Sequence, residues 1–203
     1  MSYKFSSLLL ASASPRRREI LTQIGVQFQV VEHTVDEALI PGESPEAYVQ
    51  RLALAKALSV QAQPHTEAIP VLGSDTIVVC GKQILGKPKD KEDAERMLNL
   101  LSGREHQVFS AIAICLGAEH ETVLVRTEVR FKVLSEQEIE AYWQSEEPIG
   151  KAGAYAIQGL GGMFVTALVG SYSGVVGLPI FETSQLLNKF GVRTGLQLEG
   201  RNE

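Results

Sequence analysis

Residues 70–89 read P-V-L-G-S-D-T-I-V-V-C-G-K-Q-I-L-G-K-P-K, and the fold turns on how they are taken. Val71 and Leu72 lead in, Gly73 and Ser74 predict a small-residue break, and Asp75 and Thr76 follow. The β-branched run 77–79 then meets a predicted turn at Gly81-Lys82, and Ile84 and Leu85 return to Gly86-Lys87-Pro88. Continuous Val/Ile runs bounded by turn residues predict buried strands, here a hairpin. An ionisable Asp between two such runs needs a metal, a cation or a catalytic task, because an unpaired buried charge is costly. The alternative is an Asp that fixes a turn by bonding its own backbone.

On the N-terminal side, residues 7–11 predict a strand and residues 15–24 a helix, with Ser14 at the N-cap, Pro15 in the first turn and Gly25 as the stop. A strand, a small-residue loop and a helix N-terminus in succession make an anion site, since unpaired N–H groups and the dipole point into the loop. Arg16 and Arg17 oppose that dipole. A sequence that breaks a local rule often marks a function, here phosphate binding, although a solvated basic face is the alternative and the better reading of Arg18. Residues 28–31 alternate as a second strand, and the chain turns acidic at Asp36-Glu37. Ser44-Pro45 opens a helix over 45–61 with Leu52, Ala55 and Leu58 on its apolar face. Lys56 falls between apolar positions, where it either snorkels from the edge of the stripe or reaches a ligand.

On the C-terminal side, Asp90 caps a helix to about 101 that turns Met97, Leu98 and Leu101 inward. Residues 108–116 and 122–133 read as strands, the second alternating as an antiparallel strand with one wet face does. Ser135 and Glu138 form a capping-box pattern for a helix to about 145. Residues 148–162 hold five glycines, which predicts either a mobile surface loop or a backbone lying close to a ligand with Lys151 and Gln158 in contact. Neither a phosphate loop nor a dinucleotide fingerprint is present there. Residues 164–169 predict a strand, 170–174 a turn, and the last helix ends near 190.

Composition fixes the class. At 203 residues with 44% hydrophobic and 21% charged residues, the chain is an ordinary globular protein with room for a core. The reading is α/β: one bilobed domain over 1–192, a twisted mixed sheet with flanking helices and a central cleft, then a polar, frayed tail over 193–203. A formal net charge of -5 argues against a nucleic-acid partner. No apolar run approaches the roughly 20 residues of a membrane span, and no leader-like pattern precedes Arg16, so the expected location is the cytoplasm. Cys80 and Cys115 read as buried thiols, and the four histidines as ordinary surface residues.

Cations on loops and helix starts (Arg16, Arg17, Lys56, Lys87), carboxylates (Glu37, Asp75) and the Gln158 amide suit a polyphosphate held with a divalent metal. Four motifs carry a resemblance: S-A-S-P-R-R-R-E-I-L, G-S-D-T-I-V-V followed by G-K-P, K-A-G-A-Y-A-I-Q-G, and G-S-Y-S-G-V-V-G-L-P. In this order, over residues 8–190, they resemble the Maf family of nucleoside triphosphate pyrophosphatases. The resemblance implies a fold similar to the inosine-triphosphate pyrophosphatases. It also implies hydrolysis of a nucleoside triphosphate to the monophosphate and pyrophosphate with Mg²⁺ or Mn²⁺, and a homodimer.

Carried onto matching positions, Asp75 is the proton acceptor or metal-linked base and Glu37 joins the metal site. Arg16, Arg17, Lys56 and Lys87 hold phosphates, and Ser12 lies in the loop that meets them. Residues 151–159 resemble the dTTP- and UTP-cleaving branch rather than the 7-methyl-GTP branch, a choice to which Arg16, Thr76 and Gln158 correspond. An amide at Gln158 can donate to one base atom and accept from another, matching the N–H and C=O of uracil or thymine. Ala13 and Ala156 stand where the family often has Gly. The family's link to septum formation keeps a nucleotide-sensing protein without turnover as the alternative.

Overall fold

The computed structural model describes residues 4–197. Its strands are β1 (Ser7–Ala11), β2 (Gln27–Val30), β3 (Val71–Cys80), β4 (Gln83–Leu85), β5 (Glu105–Leu116), β6 (Glu119–Phe131) and β7 (Val165–Val169). The helices are α1 (Pro15–Gln23), α2 (Pro45–Gln61), α3 (Lys91–Leu101), α4 (Glu136–Gln144), α5 (Tyr172–Val176) and α6 (Ile180–Lys189). One mixed sheet runs β2-β1-β3-β5-β6-β7, with β4 paired to β3 off that path. β1 is parallel to β2 and β3, and the remaining pairs are antiparallel.

Alternate residues of the strands enter opposite faces. Leu9, Ala11 and Val71 pack with Val49, Ala53 and Val60 of α2, whereas Leu8, Leu10 and Leu72 pack with Leu21 of α1 and Leu186 of α6. α3 and α4 close a third cluster around Met97, Leu98, Ile139 and Phe164. Ser44 and Asp90 cap their helices as expected, and Ser135 with Glu138 forms the reciprocal capping box.

β3 departs from expectation. Gly73 and Ser74 do not break the strand, which runs unbroken with Gly73 opposite Ala113 and Asp75 opposite Ala111. A Cβ on Gly73 would lie 2.2 Å from the Ala53 carbonyl oxygen, so glycine is what lets α2 lie against the sheet. Ser74 is fully buried and donates to the Gly177 carbonyl at 3.2 Å. Gly73→Ala is therefore expected to lower stability by about 1–3 kcal/mol through overpacking, read as a drop of several degrees in the thermal midpoint. β1 pairs with residues 71–73 of β3 and β4 with residues 78–80. Residues 74–77 thus have β5 on one side and, on the other, a gap between the end of β1 and the start of β4. Asp75 sits in that gap as part of a strand, not of a turn.

Other expectations shift with packing. The buried stripe of α2 is Val49, Leu52, Ala53, Lys56, Ala57 and Val60, while Leu58 is 43% exposed. Lys56 lies in the middle of this inward face. Ser14 has extended N-cap geometry but makes no side-chain cap bond; its N–H donates to Ser12 Oγ at 3.3 Å. The glycine-rich segment is not a mobile loop. It holds two short 3₁₀ turns, Ala152–Ala154 and Leu160–Phe164, and buries residues 153–157.

The expected turn at 170–174 gives way to α5, capped by Ser171 and ended by Gly177 at φ +135°. The polar tail docks at its start, where Arg193 N–H donates to Phe5 O at 3.2 Å and Gly195 N–H to Ile24 O at 2.8 Å. Its remainder, 198–203, lies outside the described residues. His106 is buried rather than on the surface, 2.9 Å from the Tyr155 hydroxyl, and burial brings its pKa down to about 4. Both cysteines are buried and free. Among the described residues no helix is long and apolar enough to cross a membrane.

Candidate active site

The gap beside β3 opens into a cleft of about 560 Å³. Ser12, Arg16, Arg17, Glu37, Lys56, Asp75, Thr76, Lys87 and Gln158 all line it, although they come from six separate parts of the chain. Lys151 lines it as well, and so do Tyr48 and His33.

Lys56 organises the acidic wall. Carried inward on α2 and 5% exposed, its Nζ lies 2.7 Å from Asp75 Oδ1 and 2.7 Å from Glu37 Oε1. Asp75 is itself 8% exposed, so Lys56 is the cation that its place in a strand demanded. Burial raises the pKa of Glu37, but the hydrogen bond and charge of Lys56, with Lys87 beyond, outweigh this and hold it below the usual carboxylate range. The loop bearing Glu37 is tied to α2 through Tyr48, whose hydroxyl donates to the Glu37 carbonyl at 2.8 Å.

The facing wall is cationic. The first turn of α1 has no acidic residue and presents Arg16 and Arg17. Arg16 Nε donates to Val176 O at 3.1 Å and Arg17 Nε to Gly177 O at 2.9 Å, so the end of α5 aims both guanidinium groups. Arg17 also donates from Nη1 to Ser12 Oγ at 3.0 Å and from Nη2 to Thr76 Oγ1 at 3.5 Å. Thr76 lies 3.0 Å from Ser110 Oγ, whose own proton goes to Gly174 O at 2.6 Å, so the Thr76 hydroxyl is the donor of that pair. Arg17 is thereby locked by the protein at all three nitrogens, while Arg16 is held at Nε.

Burial lowers the pKa of Arg16 and Arg17, opposed by Glu19 at the first and by Asp75 at the second. Lys151 is lowered by burial and then by Arg16. Five cations (Arg16, Arg17, Lys56, Lys87, Lys151) face two carboxylates in a chain that is acidic overall. Such a cleft favours a polyanion and concentrates it from solution.

Among the described residues, no three His, Cys, Asp or Glu side chains come together as a metal site. The donors present are the two hard carboxylates that already meet at one cation, the Lys56 ammonium. That set fits Mg²⁺, which keeps several waters and takes one or two carboxylates together with substrate phosphates. Sequence reasoning gave no special place to Tyr48, His33 and Ser110. Ser110 lies inside an apolar strand, where a single hydroxyl gives no spacing signal. His33, whose Nδ1 is buried without a hydrogen bond, looked like any isolated histidine.

The sequence pattern of the family described as "Maf-like protein" matches residues 7–190. A protein of Vibrio cholerae serotype O1 named dTTP/UTP pyrophosphatase is 59% identical over 91% of this chain and 98% of its own length. Proteins of the same name from Photobacterium profundum and Pseudoalteromonas atlantica are 54% and 53% identical, over 90% and 91% of this chain and 96% and 97% of their own lengths. A solved structure, the Ham1 protein of Staphylococcus aureus, aligns at 16% identity with a TM-score of 0.41, over 62% of this chain and 71% of its own.

Proposed function

The chain belongs to the Maf family, and from its 53–59% identity to proteins named dTTP/UTP pyrophosphatase we propose that it hydrolyses dTTP and UTP to the monophosphate and pyrophosphate. It does so as the single bilobed domain over 1–192, paired as a homodimer and working on the cytoplasmic nucleotide pool. The observation that carries this reading is the geometry at Lys56. One buried ammonium holds two carboxylates at 2.7 Å, across a single cleft from Arg16 and Arg17.

In the reaction, Arg16, Arg17, Lys87 and Lys151 draw in and neutralise the triphosphate, and Ser12 meets it from the loop before α1. Lys56 keeps Asp75 Oδ1 engaged, so the carboxylate is aimed by a fixed partner. A water placed beside Asp75 loses its proton to the carboxylate and attacks the α-phosphorus. The bond from that phosphorus to the α–β bridging oxygen breaks, and pyrophosphate leaves with the electron pair. Developing charge on the oxygens is met by the preorganised cations, which is most of what phosphoryl chemistry asks of a protein. Mg²⁺ or Mn²⁺, when bound, supplies further neutralisation of the phosphate oxygens; Glu37 and Asp75 are the residues that would hold it. At the base end, Gln158 donates to one atom of the pyrimidine edge and accepts from another, and Arg16 and Thr76 line the same cleft.

The test is pyrophosphate release from dTTP, UTP, CTP, GTP and 7-methyl-GTP, with Mg²⁺ or Mn²⁺ and with chelator. Release from dTTP and UTP that chelator abolishes, with monophosphate as co-product, is the expected result. Release from purines alone would keep the chemistry and discard the assignment of Gln158. Binding without release would give the case to a nucleotide sensor.

A further inference from the structure

Among the described residues nothing hydrogen-bonds the Gln158 amide, and the residue is exposed. Its direction is therefore inherited from the backbone that carries it, and that backbone is fixed on both sides by two side chains that do not line the cleft. Tyr142, in the last turn of α4 and 3% exposed, accepts a hydrogen bond from Ala156 N–H at 3.0 Å. Its hydroxyl donates to Glu147 Oε1 at 2.7 Å. Glu147 in turn accepts from Leu160 N–H through Oε2 and from Gly161 N–H through Oε1, both at 2.9 Å.

One connected pair thus grips residue 156 before Gln158 and residues 160 and 161 after it. The glycines follow from this. A Cβ on Gly159 would lie 2.1 Å from Glu147 Oε2, and one on Gly161 would lie 2.6 Å from the Tyr142 hydroxyl. At these two positions the backbone is pressed against the clamp, not against a ligand as the sequence suggested. Burial raises the pKa of Glu147, but the two backbone N–H donors and Tyr142 outweigh it, so its carboxyl stays below the ordinary range and anionic. Hydrogen bonds to an ionised acceptor are about twice as strong as neutral ones.

We propose that Tyr142 and Glu147 are positioning residues for base selection, holding Gln158 where its amide meets the pyrimidine edge. This rests on the reading of Gln158 given above. Polar discrimination depends on placement, because a base edge offered a misplaced amide loses the pairing that separates it from its competitors. Neither residue lines the cleft, so the attack at the α-phosphorus does not depend on them directly.

The experiment measures kcat and KM for dTTP, UTP, CTP and GTP in the full chain and in Tyr142→Phe, Glu147→Gln and Gln158→Ala. Tyr142→Phe and Glu147→Gln are expected to lower kcat/KM for dTTP and UTP at least about tenfold, mainly through KM, while the slow cleavage of CTP and GTP changes less than about twofold. Tyr142→Phe/Gln158→Ala is expected to be no worse than Gln158→Ala alone, since both act through one contact. If Glu147→Gln does not fold, Tyr142→Phe, which keeps the ring in its pocket, decides. A uniform loss over all four nucleotides, or an unchanged pyrimidine preference beside a Gln158→Ala that abolishes it, overturns the clamp alone. An unchanged preference in Gln158→Ala overturns the base-reading assignment, and the clamp with it.

Discussion

Asp75→Asn leaves the protein folded and lowers turnover of dTTP and UTP at least about 100-fold, the scale of a lost general base. The substitution is nearly isosteric in a strand whose register is set by neighbours on both sides of position 75. The Asn carbonyl can still accept from Lys56, and Lys56 keeps Glu37. What disappears is the capacity to take a proton from water. The measurement is kcat at saturating nucleotide and metal, paired with the thermal midpoint. Turnover close to that of the unaltered protein, with an unchanged midpoint, would remove Asp75 from its role.

Lys56→Met is expected to damage both activity and stability. It fills the stripe of α2 with an apolar side chain of similar length but leaves Asp75 and Glu37 converging with no cation between them. Breaking a buried pair by deleting one member costs on the order of 3 kcal/mol, and Glu37, being half exposed, brings the figure below that. For a chain of this size each kcal/mol moves the midpoint by roughly 2–4 °C. Turnover falls at least about 100-fold, because the base loses the partner that aims it. Lys56→Met/Asp75→Asn then recovers part of the lost stability and none of the activity. A double variant no more stable than Lys56→Met would mean that the cost lies in the packing of α2, not in the stranded carboxylates.

Asp75, Arg16 and Arg17 were legible in the sequence because each broke a local rule: an Asp between buried runs, arginines at a helix N-terminus. Glu37 and Lys87 broke none and drew their expected roles from the family motifs. The helices and their caps were legible too, since Ser44, Asp90, Ser135 and Glu138 act within one turn of themselves. What stayed hidden depends on partners far along the chain. Gly73 looked like a break because nothing local says that Ala53 passes 2.2 Å from its missing Cβ. Lys56 looked peripheral because the apolar face of α2 was drawn through Leu58, and only contact with β3 and β5 shows which side is inward. The turn expected at 170–174 had helix-breaking composition, yet the Ser171 cap and the bond from Ser110 to Gly174 fold it into α5. The glycines after Gln158 gave no hint of Glu147, because a carboxylate that caps a loop more than ten residues away leaves no periodic mark.

The hold of Val176 and Gly177 on Arg16 and Arg17 spans 160 positions of sequence. On the ribosome, the arginines, Lys56 and Asp75 all emerge well before the carbonyls that aim the guanidinium groups. A nascent chain therefore carries Asp75, Lys56 and both arginines before the backbone that orients the guanidinium groups exists. Any chain that stops short of residues 176 and 177 leaves both guanidinium groups without the carbonyls that orient them.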